Sequence, residues 1–162
     1  MSASLRTELG DFSSVRCLKA IITGMEDALG EKATAIALIA AGRARGRELA
    51  GQLDLLQPDL TLEEIAERVA AALGREGTCL LLLDRIERDG EGFKAYTRET
   101  VCSAGEPEGS ARVCTFTLGA VQGVLETITG ERLRGTHTES VLRGGDHDVF
   151  EYIPLASAVE KI

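Results

Sequence analysis

The chain has 162 residues, 44% of them apolar and 27% charged, a composition that excludes a disordered chain and suffices for one hydrophobic core. Its net charge of −8 repels phosphate backbones and anionic lipid heads, so neither nucleic acid nor basic-patch membrane docking is expected. The longest apolar blocks, 35–41 and 79–83, fall far short of the ~20 residues that a spanning helix needs.

Residues 1–12 carry Glu8 and Asp11 and no apolar run, so no secretory leader is expected. They are read as a flexible amino terminus, 13–155 as a single domain and 156–162 as a tail. Asp11-Phe12-Ser13-Ser14 offers capping candidates, and Val15, Leu18, Ile21, Ile22 and Met25 follow at helical spacing towards Gly30. A second helix over about 32–53 mixes Ile36, Ile39, Leu49 and Leu53 with Ala and Gly, so close packing is expected. Its Arg43, Arg45 and Arg47 form a small basic run, read as a solvated face. Pro58 ends this region, and Thr61 with Glu64 forms a capping box that opens a third helix through Leu73 to Gly74.

The period then changes. Residues 78–86 are β-like and 93–102 alternate, with Asp89-Gly90 between them as a hairpin signal. A turn centred between Gly90 and Glu91 places Cys79 opposite Cys102. It puts Leu80 and Leu82 on one face with Phe93, Ala95 and Val101, and Leu81, Leu83 and Tyr96 on the other. Two partly apolar faces predict helices on one side and a subunit, helix or ligand on the other. Residues 103–112 form a glycine- and proline-bearing loop, 113–129 a fourth helix stopped by Gly130, and 132–142 and 148–155 two further strands around Gly144-Gly145-Asp146. The sequence therefore predicts an α+β fold: a four-stranded antiparallel sheet flanked by four helices, in the order helix-helix-helix-strand-strand-helix-strand-strand.

G-x-x-x-G occurs twice within helical patterns, at Gly42/Gly46 and Gly119/Gly123. Each glycine costs about 1 kcal/mol against alanine in a helix interior, so a close approach is expected to offset it. For the first pair that approach is read as helix on helix. For the second, contact with a flat or linear apolar molecule stands beside it. No dinucleotide fingerprint, phosphate loop, Ser-His-Asp spacing or Cys-His pair stands out, and Glu99, near Lys94 and Arg98, reads as an ion-pair partner rather than a catalytic acid. No enzyme and no cofactor are expected. Four cysteines without a C-x-x-C suit a reducing, cytoplasmic setting, with peripheral membrane contact as the remaining option. Cys79 and Cys102 are read as buried thiols, the alternative being a cross-strand disulfide.

Cys114, Gly119, Gly123, Gly130, Glu139, Gly145 and Asp146 carry a resemblance to the 4-vinyl-reductase-type small-molecule-binding domain, a relative of vesicle-tethering subunits that hold an acyl chain. The pattern is most similar to short stand-alone hydrocarbon-binding proteins of cyanobacteria. The resemblance implies a homodimer and a pocket for a hydrophobic hydrocarbon, lipid, tetrapyrrole or isoprenoid, with a link to photosynthesis. The lining expected on that basis, between helices and sheet, is Ile36, Ile39, Leu80, Leu82, Phe93 and Tyr96, together with Phe116, Gly119, Gly123, Val124 and Phe150. Arg43 or Tyr96 would be the polar anchor. Some relatives hold a structural zinc with one Glu and three Cys; here Glu139 and Cys114 match, but the other two places fall on Leu142 and Phe150, which offer no donor atom. No metal is expected, His137 and His147 being the only imidazoles that could substitute. A dimeric scaffold that binds other proteins, with a vestigial pocket, is the alternative reading, and a component of a tetrapyrrole vinyl reductase the third.

Overall fold

The computed structural model describes residues 6, 8 and 13–156; most of the predicted terminal segments, Asp11 included, fall outside them. Within them the chain runs α1 (Val15–Leu29), α2 (Glu31–Gln52), α3 (Leu62–Leu73), β1 (Leu82–Asp89), β2 (Gly92–Arg98), α4 (Phe116–Thr129), β3 (Leu133–Glu139), a 3₁₀ turn (Val141–Arg143) and β4 (Asp148–Pro154). The strands form one antiparallel sheet in the order β1-β2-β4-β3. Fold class and element order are those the sequence predicts.

The helix boundaries follow local chemistry. Ser14 caps α1 by accepting the Arg16 N–H. Thr61 and Glu64 form the full capping box of α3, side chain to backbone in both directions, an arrangement worth about 1 kcal/mol. Gly130, at φ 71°, ends α4 in the left-handed region that glycine enters without strain.

The glycine pairs decide how the helices meet. Gly42 lies against the backbone of Phe116, Gly119 and Ala120, and Gly46 against Ala120, Gly123 and Val124. In return, Gly119 faces Ile39 and Gly123 faces Arg43. The two G-x-x-x-G notches therefore fill each other, α2 on α4, at a separation that leaves no space for a Cβ. For Gly119 and Gly123 the approaching group is a helix backbone rather than a ligand.

Beneath α4 lies the core. Val121, Val124, Ala95, Phe150 and Tyr152 are 0% exposed, with Phe93 at 1%; each large apolar side chain so buried contributes about 1.5–3 kcal/mol. The Tyr152 hydroxyl donates to the Leu118 carbonyl at 2.8 Å, which avoids the penalty of an unpaired buried donor.

Two strand expectations need correction. The hairpin register holds from Asp89↔Gly92 to Arg85↔Tyr96, but a bulge between Leu83 and Arg85 shifts it to Leu83↔Thr97 and Leu82↔Arg98. One inserted residue exchanges faces, so Leu81 and Leu83 enter the core while Leu80 and Leu82 do not. The strand also begins at Leu82 rather than at 78, and Cys79 sits at φ 52° outside it. Cys79 and Cys102 are consequently not a cross-strand pair.

The sheet's outer face is charged. Arg98 pairs with Asp84, His147 Nε2 meets Asp84 at 2.9 Å, Lys94 pairs with Asp89, and the Arg85 guanidinium covers the Tyr96 ring at 3.5 Å. Such a face is solvated by its own ion pairs and needs no apolar cover.

Candidate functional site

Between α1, the 78–80 segment and the start of α4 lies a largely apolar cavity of about 280 Å³. Val15, Leu18 and Ile21 of α1, with Leu73, Leu80, Val101 and Phe116, supply its apolar lining, and Val15 and Ile21 are also open to solvent. Its polar lining is Ser13, Ser14, Thr78, Cys79 and Arg45. Arg45 is held there by Nη1 hydrogen bonds to Glu48 and Gln52.

The expected lining residues are scattered. Leu80 and Phe116 meet at this cavity. Phe93, Val124 and Phe150 are spent on the core beneath α4, so the helix–sheet space is occupied by side chains of the protein itself. Ile39 packs against that core, Ile36 is 66% exposed, and Leu82 lies beside a separate shallow hollow with Glu99. Tyr96 points to the outer face, where its hydroxyl donates to Glu87 at 2.6 Å, and so cannot anchor a ligand in the helix–sheet space. Arg43 is committed to Glu126, with Nη2 and Nε at 2.7 and 3.0 Å from one carboxylate oxygen. Burial opposes ionisation of Glu126, but donors from Leu133 N–H, Arg43 and Gln122 outweigh it and hold the carboxyl below its ordinary range.

The α1 side of the site was missed because Val15, Leu18 and Ile21 read as an ordinary core stripe. Only Ile22 of that helix is buried, and it joins Leu38 and Val101 in a small satellite cluster. Much of what holds α1 against the neighbouring loop is polar. Lys19 Nζ donates to the Cys102 carbonyl at 2.8 Å and pairs with Glu106 at 2.7 Å, and Arg112 grips Glu26 through two bonds of 2.8 and 3.0 Å. Arg112 also pairs with Glu106, which accepts from Ser110 Oγ at 2.8 Å. Lys19 is the largest cause, ahead of Ser110 and Arg112, that lowers the Glu106 carboxyl to about 2 against the opposing effect of burial.

Next to the cavity's Val101 and Phe116 lies a buried polar junction. Cys102 and Cys114 form a disulfide. Asp148 Oδ2 accepts from Thr100 Oγ1 at 2.8 Å, and its Oδ1 from Ser140 Oγ at 2.9 Å. His137 Nδ1 accepts the Cys114 N–H at 3.1 Å, which leaves the proton on Nε2, 3.2 Å from Asp148 Oδ1. Burial works against the Asp148 carboxylate, yet His137, Thr100 and Ser140 together keep its pKa below the usual value.

His137, Ser140 and Asp148 keep the three- and eight-residue intervals of Glu139, Leu142 and Phe150, two residues earlier in the chain. The cluster around Cys114 uses this earlier set. Glu139 is exposed, Leu142 is buried, and Phe150 belongs to the core. The zinc of the resembling domains does not fit the junction as it stands. Cys102, Cys114 and Asp148 bring donor atoms within 4.8 Å of one another, but the two sulfurs are bonded together. The His137 lone pair and the Ser140 hydroxyl are likewise engaged, which leaves one carboxylate where a tetrahedral site needs four donors.

No protein-family model matches the chain, and no curated protein matches it. Among solved structures, it is similar to the phenol-responsive sensory domain of the transcription activator PoxR, determined with phenol. The match covers 90% of this chain and 77% of that one, with a TM-score of 0.68 and 15% identity. The chain therefore shares the fold of that domain. No helix among the described residues is long and apolar enough to cross a membrane.

Proposed function

We propose that this chain is a non-catalytic binding domain that holds a small hydrophobic molecule between α1 and the 78–80 segment. The observation that carries this reading is the hollow lined by Val15, Leu18, Ile21, Leu73, Leu80 and Phe116, a mostly apolar lining with a few polar groups. The shared fold with a phenol-responsive domain supports the same class of role. A volume of about 280 Å³ suits a molecule of one to three rings or a short chain, and is small for a tetrapyrrole.

The neutral fluorophore N-phenyl-1-naphthylamine tests this reading. It should bind one per chain with enhanced emission, and Leu80→Trp should abolish binding while leaving the far-ultraviolet dichroism unchanged. Equal binding by the parent and by Leu80→Trp would sink the proposal.

A homodimer is the second reading, favoured by Ile21, Leu29 and Ile36, which are 57, 61 and 66% exposed. Apolar side chains so placed on α1 and α2 form a surface suited to a second copy. A two-chain mass in solution supports this reading, and a one-chain mass ends it.

A further inference from the structure

We propose that the Cys102–Cys114 disulfide is a redox-controlled clasp that holds α1 over the apolar cavity, so that ligand retention depends on its oxidation state. The inference rests on the cavity being the binding site. Its physical basis is the position of the bond. Val101, next to Cys102, and Phe116, two residues beyond Cys114, both line the cavity, so the bond fixes one contributing residue relative to the other. The loop it closes carries Glu106 and Arg112, whose ion pairs with Lys19 and Glu26 tether α1, and the Cys102 carbonyl itself accepts from Lys19.

The bond's surroundings make its two states structurally different. Both sulfurs lie within 4.8 Å of an Asp148 carboxylate oxygen, and both cysteines are buried. Two unbonded sulfurs need more room than two bonded ones. The reduced pair must therefore separate in a packed site, pushing Val101 and the start of α4 apart. The same chain carries two exposed free cysteines, Cys17 and Cys79. Exposed thiols persist where reductants are present, and there a disulfide is a bond that opens and closes.

Opening is a two-electron step. A thiolate of a dithiol reductant attacks one sulfur and forms a mixed disulfide. The reductant's second thiol then displaces the protein sulfur, leaving two protein thiols, which take up two protons, and one oxidised reductant. Because the bond is buried, the attack follows local opening of the 103–113 loop.

The full chain, oxidised and then treated with dithiothreitol, tests the clasp by three readings: alkylation mass, titration with N-phenyl-1-naphthylamine, and hydrogen exchange over residues 15–29. Before reduction, two of the four cysteines should resist alkylation in denaturant. Reduction should weaken the probe about fivefold or more and speed exchange in α1, and reoxidation should restore both. Cys17→Ser/Cys79→Ser should keep the response, whereas Cys102→Ser/Cys114→Ser should bind weakly under either condition. Equal affinity and equal exchange in both states would overturn the proposal, as would four alkylated thiols in the oxidised sample. Loss of all dichroism on reduction would also overturn it, because the bond would then be a staple of the whole fold. If the probe binds neither state, the binding site falls, and α1 exchange alone decides the clasp.

Discussion

Gly46→Ala is the sharpest test of the helix crossing. A Cβ built on Gly46 stands 2.9 Å from both the Gly123 Cα and the Val124 nitrogen, and closer still to the Ala120 carbonyl oxygen. Heavy atoms rest at about 3.5 Å or more, and all three neighbours are backbone atoms, which no rotamer change can move. Relief requires α2 and α4 to part by about an ångström along their contact. Overpacking of this kind costs about 1–3 kcal/mol, while alanine returns about 1 kcal/mol of helix propensity; with rigid neighbours the net loss is about 1–2 kcal/mol. For a chain of this size that lowers the melting temperature by about 2–8 °C. Gly24→Ala supplies the opposite sign, because nothing lies within 4 Å of its Cβ position. That variant should gain about 0.5–1 kcal/mol. Urea unfolding followed by dichroism at 222 nm gives both values. A Gly46→Ala variant as stable as the parent would refute the interlocked notches.

Two further perturbations address the polar contacts. Arg43→Met leaves the Glu126 carboxylate, 6% exposed, without its paired cation and should cost about 3 kcal/mol in urea unfolding; adding Glu126→Gln should recover part of that loss, since an amide tolerates burial better than an ion. Glu106 has a folded-state pKa of about 2, below the ordinary 4.5. Its contribution is therefore complete above the ordinary value and is lost as pH falls from there through about 2. Screening at this partly exposed site limits it to about 1–2 kcal/mol. The urea midpoint should fall across that window in the parent and fall less in Glu106→Gln, and parallel profiles would remove Glu106 from the account.

Features governed by neighbours in sequence were legible. The capping box at Thr61, the stop at Gly130 and the turn at Gly90 appear where their chemistry places them. The interlock of Gly42/Gly46 on α4 follows from the cost of glycine in a helix, although the sequence did not name Gly119/Gly123 as the partner. The β1 faces were not legible, because a single bulge at Asp84 reverses them and no residue type announces a bulge. Alternation placed Tyr96 opposite Phe93 and Ala95, as in the structure, but no residue type announced that this face would be the solvent side, closed by the ion pairs around Asp84, Arg85 and Glu87.

The site itself was harder to read because close packing and a cavity draw on the same residue types. Val124 and Phe150 are as apolar as Leu18, Leu80 and Phe116, yet the first two are fully enclosed and the last three border open volume. The difference arises from how each helix is held. α4 meets α2 backbone to backbone, and its Val121, Val124 and Leu125 are fully buried in the core. α1 buries only Ile22, and Lys19 and Glu26 tie it by ion pairs to Glu106 and Arg112 of the loop between Cys102 and Cys114. Ion pairs with long side chains fix a helix at a distance that apolar packing would close. The opening therefore falls where attachment changes from apolar packing to charge, and mutations that alter that charge should change the cavity before they change the core.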